Sequence, residues 1–506
     1  VPPTRAARIT LCTEFDRGPI DRRLFGSFVE HMGRCVYGGI YQPGHRSADP
    51  FGFRTDVAEL ITELGIGLVR YPGGNFVSGY RWEDGVGPRE QRPTTLDLAW
   101  RSVESNEVGT DEFLQWAERR RLSPMMAVNL GTRGPAEAAA LVEYCNATSP
   151  TRYADLRRRN GRQQPYRVGL WCLGNEMDGD WQLGHTTAEE YGRRAAAAGR
   201  AMRMVDPSIE LTVCGSSHRE MPTYGSWEQT VLEATHGIAD YLSIHAYYDG
   251  RQDDADYLAS GEAMSRYIEE VTAIADAVAA RHRSDKKIAV AFDEWNVWTS
   301  APDDAATRRE DEIAVHPPLA EDRYQTRDAV VVGDLLISLL NHSDRVRVAC
   351  LSLLVNVSAP IITRPDGSTL RQTTFHPMAH TARLARGRSL LTRIDGPVIT
   401  SPRYGDVPGL AVAATREDAE TAIFLVNRTD RPQPIEIAIV DRPTPVITEA
   451  FSLLADGDRL HADSPETPGP SALPVGAGDG RITATLPARS WSAIAAHDRE
   501  ENRRAR

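Results

Sequence analysis

The chain reads as an α/β protein: a (β/α)8 TIM barrel followed by a C-terminal antiparallel β-sandwich of jelly-roll type. Three observations predict this. Over residues 19–385, eight short apolar runs that end in polar or glycine-rich turns alternate with helical patterns. Eight strand–helix repeats are the count of a closed barrel. Runs such as AVAF and LWCL are apolar without alternation, as parallel strands covered on both faces must be. From residue 386 the helical period gives way to short strand-like segments between Pro, Gly and Asp turns, the pattern of a sandwich.

Each element follows in order. Residues 1–18 carry ARITLCTEF, a strand that precedes the barrel and is expected to join the C-terminal sheet. The barrel strands are LFGSFVEH (24–31), GLVRYPGG (67–74), PMMAVNLG (124–131), VGLWCLGNE (168–176), ELTVCGSS (210–217), DYLSIHAYY (240–248), KIAVAFDEWN (287–296) and RVACLSLLVNV (347–357). Between them, DEFLQWAERRR, TAEEYGRRAAAAGRAMRMV, MSRYIEEVTAIADAVAARH and TRDAVVVGDLLISLLNH place apolar residues at i, i+3 and i+4, the helical spacing. Residues 386–506 form the sandwich, built from segments such as GLAVAATR, TAIFLVNRT, PIEIAIV, GRITATLPA and SWSAIAA. The charged tail DREENRRAR is expected to fray.

Bulk composition excludes several function classes. A net charge of -12 and a pI near 5.6 argue against nucleic acid or an anionic membrane as partner. No run reaches the length of a membrane span, and VPPTRAARITLCTEFDRG has no secretory h-region. The expectation is a cytoplasmic protein. Six scattered cysteines without CxxC spacing read as buried thiols rather than a disulfide framework or a zinc site. The zinc, calcium, dinucleotide and phosphate-loop patterns are absent, so no cofactor and no metal is expected.

The strand ends carry the chemistry. They read Glu30 and His31, Arg70, Asn129, Asn175 and Glu176, Ser216, His245 and Tyr247, Glu294 and Asn296, and Asn356. One polar strand end is ordinarily a turn or cap. Nearly all eight ends being polar, on the face where barrels keep their sites, points to a pocket. Glu176 ends strand four and Glu294 lies near the end of strand seven. Either alone reads best as a solvated or ion-paired acid. Together on one rim they are the equipment of glycoside hydrolysis: one acid protonates the departing oxygen, and the other attacks or activates water. Asp293 adjoins Glu294, but strand neighbours face opposite ways, so Glu294 is taken as the pocket residue. Tyr71, Tyr80, Trp82, Trp171, Tyr247, Trp295 and Trp298 are candidate sugar platforms, although each singly is more often core. His245 could orient a carboxylate; its bland reading is a neutral ring bonded to backbone.

The motifs then become specific. FGSFVEHMGRCVYGGIY, VRYPGGNFVSGYRWEDGVGP, AVNLGTRG, WCLGNEMDG, VCGSS and FDEWNVW resemble glycoside hydrolase family 51, the α-L-arabinofuranosidases of clan A, and PPLAEDRY, LVNVSAPI and LPARSWS extend the likeness nearly to the end. The resemblance implies a retaining, exo-acting hydrolase that releases terminal α-L-arabinofuranosyl residues, commonly a homohexamer. It implies Glu176 as general acid/base, Glu294 as nucleophile, and Glu30, Arg70, Asn75, Asn175, His245 and Tyr247 as sugar-binding residues, with Trp298 at the rim. Arg70 and Tyr247 would favour an ionised Glu294.

The chain departs from the family pattern at three places. HAYY, with Ala246, stands where the family often has HQYY. SLLVNV replaces AQLVNV, so Leu353 occupies the place of a glutamine at the edge of the sugar pocket. The loop 299–318 lacks a tryptophan before its PP. The expected partners are therefore arabinofuranosyl- or galactofuranosyl-containing oligosaccharides. An exo-β-D-galactofuranosidase with the same mechanism is the first alternative, and a catalytically silent furanoside-binding protein the second.

Overall fold

The computed structural model describes residues 5–299, 313–440, 442, 444–454 and 468–498. The charged tail from residue 499, expected to fray, and most of the loop 299–318 lie outside the described residues. All eight sequence runs carry a barrel strand: β1 Gly26–Phe28, β2 Leu68–Tyr71, β3 Ser123–Val128, β4 Leu170–Leu173, β5 Glu210–Cys214, β6 Tyr241–Asp249, β7 Ala289–Trp298 and β8 Val346–Leu351. They close in chain order, every neighbour parallel. Closure leaves no sheet edge and brings the carboxyl ends of all eight strands to one rim.

The helices follow from their apolar stripes. In Ala188–Val205 the buried residues include Tyr191, Ala195, Ala198 and Met202, and the Thr187 hydroxyl accepts from the Glu190 N–H to cap the first turn. The helix Thr326–Asn341 is buried nearly all round, because it packs against both the barrel and the C-terminal sheet. Gly333 on this helix leaves no space for a Cβ beside Trp491. Asp334 and Arg428, each 1% exposed, meet there at 2.8 Å. Breaking one partner of such a pair would strand a buried charge and cost about 3–5 kcal/mol.

The C-terminal strands form one ten-stranded hydrogen-bonded sheet. One face closes on itself around Ile9, Leu11, Leu390, Val412, Leu425 and Ile437. The alternate residues, including Ala413, Phe424, Val426 and Trp491, pack into the barrel core. The N-terminal strand Ala7–Pro19 does join this sheet, antiparallel to Arg388–Asp395 and parallel to Gln433–Val440. That parallel pair departs from the purely antiparallel expectation: a strand arriving from the other end of the chain is not bound to hairpin geometry. Five of the six cysteines are buried, and all are free thiols. Among the described residues no helix is long and apolar enough to cross a membrane.

Candidate active site

The two carboxylates meet. One oxygen of Glu176, one of Glu294 and a ring nitrogen of His245 all lie within 4.8 Å of one another. Glu176 follows Gly174, φ 90°, in the turn after β4 and itself has φ 44°. Left-handed backbone is uncommon for a residue with a side chain, and such strain persists where surrounding structure imposes it. Here His245 Nδ1 lies 2.9 Å from Glu176 Oε1, and the Trp181 indole N–H donates to Oε2 at 2.7 Å.

Glu294 is held from two sides. Arg70 Nη1 donates to Oε1 at 2.5 Å, and the Tyr247 hydroxyl donates to Oε2 at 2.7 Å. The other arm of Arg70 donates to Asn175 Oδ1 at 2.7 Å, and the Asn175 amide reaches Asn75 Oδ1 at 3.3 Å. Arg70 also lies over the Phe28 ring, 4.7 Å from its centroid. A Cβ on Gly74 would stand 2.8 Å from Glu294 Oε1, so the PGG turn after β2 is glycine because backbone approaches the carboxylate. Trp298 stacks on Tyr247 at 4.3 Å. Glu30 Oε1 accepts from the Phe76 N–H at 2.9 Å and the Trp100 indole N–H at 3.0 Å. Burial, reinforced by the charge on Glu294, pushes the Glu30 carboxyl up to about 8. Burial works against a charged His245, but Glu294 and then its bonds to Asp293 and Glu176 prevail and raise it to about 10.

The structure thus brings together Glu30, Arg70, Asn75, Asn175, Glu176, His245, Tyr247, Glu294 and Trp298. Leu353 is different. It is buried in the apolar core one residue after Ser352, whose hydroxyl lies 2.8 Å from that of Tyr247.

Other readings need correction. Asp293 does not turn away. Ala291 pairs with Ser243 and Glu294 with His245, so β7 spends three residues against two of β6. That bulge breaks the period-two rule. Asp293 lies beneath Glu294, 3.2 Å from Arg70 Nε and 2.6 Å from the Ser243 hydroxyl. Five of the proposed platforms are core: Tyr71, Tyr80, Trp82, Trp171 and Trp295 are all buried. Tyr71 is stacked on Phe113 at 4.0 Å and bonded to His31, and Trp171 donates to the Val168 carbonyl. Asn129 and Asn356 organise turns, through the Gly131 and Thr363 N–H groups, and Asn296 binds the carbonyls of Ser352 and Ser358. His245 is not the bland backbone-bonded ring. Sequence reading missed Trp100. It sits at the tip of the hairpin Thr95–Asp97 and Ser102–Glu104, and the alternation in TLDLAWRSVE was the available signal.

Glu176, His245 and Glu294 are also a trio with metal-ligating atoms. Their lone pairs and N–H groups are already engaged by Trp181, Arg70, Tyr247 and one another, and the Arg70 guanidinium already supplies the positive charge at Glu294. The donor set suits acid/base and nucleophilic work better than a cation.

Known proteins share this architecture. Two family models match, the α-L-arabinofuranosidase 1 domain over residues 60–266 and the α-L-arabinofuranosidase C-terminal domain over residues 293–490. An intracellular exo-α-(1→5)-L-arabinofuranosidase of Streptomyces lividans is 49% identical over 98% of this chain and 76% of its own length. An exo-α-(1→6)-L-arabinofuranosidase of Bifidobacterium longum is 45% identical over 96% and 97%. Among solved structures, a family 51 α-L-arabinofuranosidase from Bifidobacterium longum superposes with a TM-score of 0.93 at 43% identity, covering 98% of this chain and 100% of that one. The arabinose complex of a Thermotoga maritima α-L-arabinofuranosidase superposes with a TM-score of 0.84 at 29% identity, covering 97% and 100%.

Proposed function

Because the chain belongs to glycoside hydrolase family 51 and is an exo-acting α-L-arabinofuranosidase, we propose how its pocket carries out that hydrolysis. The reaction is a double displacement with retention. The observation that carries this reading is the closeness of Glu176 and Glu294, whose oxygens lie within 4.8 Å. Retaining pairs stand about 5–5.5 Å apart, and inverting pairs need about 6.5–9.5 Å to admit a water.

Glu294 is the nucleophile. Its two oxygens are fixed by Arg70 and Tyr247, which aims a lone pair at the anomeric carbon. Glu176 protonates the departing oxygen, then takes a proton from the water that opens the glycosyl-enzyme ester. His245, a cation at neutral pH, holds Glu176 in place from Oε1. Asn175 and Glu294 receive the furanose 2-OH, a contact that strengthens as the oxocarbenium character develops. Glu30 keeps its proton at pH 7 and donates it in a hydrogen bond to a sugar hydroxyl. Asn75 adds an acceptor beside it, and Trp298 offers a face to the leaving group.

Arabinofuranosyl oligosaccharides are the substrates. Galactofuranosides are carried only as a side activity, resting on Leu353 and Ala246 in place of longer polar groups. A cytoplasmic location and assembly as a hexamer complete the proposal; the Streptomyces lividans relative is named as intracellular. Proton NMR of the first-formed sugar tests the mechanism: α-L-arabinofuranose appearing before mutarotation supports it, and β-L-arabinofuranose overturns it.

A further inference from the structure

We propose that Asp293 is a positioning residue that couples the two halves of the catalytic pair, acting on Glu176 through His245 and on Glu294 through Arg70. The inference rests on the roles given to Glu176 and Glu294 above.

The geometry is specific. Asp293 is wholly buried, brought beneath the pocket by the bulge in β7. Its Oδ2 lies 3.2 Å from Arg70 Nε, and Arg70 Nη1 holds Glu294. Its Oδ1 accepts from the Ser243 hydroxyl at 2.6 Å and stands 3.5 Å from His245 Nε2, with Ser243 Oγ 3.1 Å from that same nitrogen. The far side of the imidazole, Nδ1, faces Glu176 Oε1 at 2.9 Å. One carboxylate therefore terminates both chains of contact. Burial would keep Asp293 neutral, but Arg70 and then His245 outweigh it and hold the carboxyl below the usual range.

The consequence is a fixed direction for one proton. A charged imidazole can only donate to Glu176 Oε1. A neutral imidazole could instead accept there, drawing the acid's own proton away from the leaving group. Asp293 keeps the ring charged from behind. The other titratable groups facing His245 are Glu176, after β4, and Glu294, beside Asp293 on β7; Asp293 itself is met by Arg70 on β2 and Cys172 on β4. Of these, Glu294 and Asp293 are the anions fixed by Arg70, and only Asp293 reaches the ring's outer nitrogen.

The test is Asp293→Asn in the full chain, with Ser243→Ala as a second variant that keeps every charge but cuts the hydroxyl bridge. Two readouts are taken. Histidine 15N NMR, with His245 assigned by its loss in His245→Asn, reports the ring's charge between pH 5 and 9. kcat/KM against pH is measured for an arabinoside with a poor leaving group and for a dinitrophenyl arabinoside that needs no proton. In the wild type His245 should stay charged across the window. In Asp293→Asn it should titrate inside the window, and activity on the poor leaving group should fail at a pH at least one unit lower, with a smaller change for the dinitrophenyl substrate. Ser243→Ala should shift the same way by less. A ring that stays charged in both folded variants, or an equal loss on both substrates, overturns the inference. Should Asp293→Asn not fold, Ser243→Ala decides by the same criteria. Glu176→Ala separates this failure from failure of the underlying reading. If that variant retains the wild-type difference between the two leaving groups, Glu176 is not the acid. If it widens the difference, losing the poor leaving group far more than the dinitrophenyl one, while the Asp293 and Ser243 variants leave His245 unchanged, only the present inference falls.

Discussion

Tyr247→Phe is the sharpest single perturbation of the nucleophile. The ring stays, and with it the stack on Trp298 at 4.3 Å; only one O–H is removed. That O–H is, with Arg70, one of the two hydrogen-bond donors to Glu294 among the described residues, bonded at 2.7 Å. A hydrogen bond to a charged acceptor is worth about 1.5–3 kcal/mol. At about 1.4 kcal/mol per tenfold, full loss would cost roughly 10- to 150-fold in rate. The nucleophile gives up part of its charge as the new bond forms, so the lost donor weakens the ground state as well as the transition state. The expected drop in kcat/KM on an aryl α-L-arabinofuranoside is therefore about 3- to 30-fold. Ser352 also loses its 2.8 Å partner, and the melting temperature should fall by no more than about 1 kcal/mol of stability implies. Steady-state kinetics and a thermal melt on the same preparation check both. A loss under about threefold in a fully folded variant would mean Tyr247 does not hold Glu294 in the reacting complex.

Glu176→Ala should still form the glycosyl-enzyme from activated aryl substrates, stall on natural linkages, and recover turnover with azide; recovery of the same product by azide in Glu294→Ala would reverse the assignment. Glu30→Gln tests the buried acid. The folded carboxyl keeps its proton up to about 8 against 4.5 for an ordinary glutamate, so folding takes up a proton between those pH values and wild-type stability declines as pH rises through that window. Melting the pair at pH 5 and pH 9 should show the Gln variant gaining relative to wild type at the higher pH; a pH-independent difference contradicts the shift. Leu353→Gln should move the ratio of kcat/KM for aryl α-L-arabinofuranoside over aryl β-D-galactofuranoside toward arabinose by about one neutral hydrogen bond, roughly 1 kcal/mol; an unchanged ratio leaves the substitution neutral.

Period and turn chemistry made the barrel legible, because an apolar run closed by a polar turn reads the same in one dimension as in three. The catalytic rim was legible for the same reason at β1, β2, β4, β6 and β7. What failed was detail set by backbone irregularity. The bulge that rotates Asp293 beneath Glu294 leaves no mark in FDEWN. Strict alternation therefore assigned Asp293 to the wrong face while choosing the glutamate that the structure sets beside Glu176 and His245. Tyr71 looked like a rim aromatic because it adjoins Arg70, yet strand neighbours face opposite ways and it stacks on Phe113 of the helix Thr110–Arg120. Trp100 comes from a hairpin between β2 and β3, outside the repeat. A reading confined to strand ends could not reach it.

The central claim is that Glu294 forms the covalent bond to the sugar. A 2-fluoro-2-deoxy-α-L-arabinofuranoside with a dinitrophenyl leaving group should trap it, since fluorine slows both steps and the leaving group rescues only the first. Intact-mass and peptide mass spectrometry should then find one fluoroarabinosyl adduct per chain, carried by Glu294. An adduct on Glu176 or another residue, or inactivation without any adduct, would contradict the account.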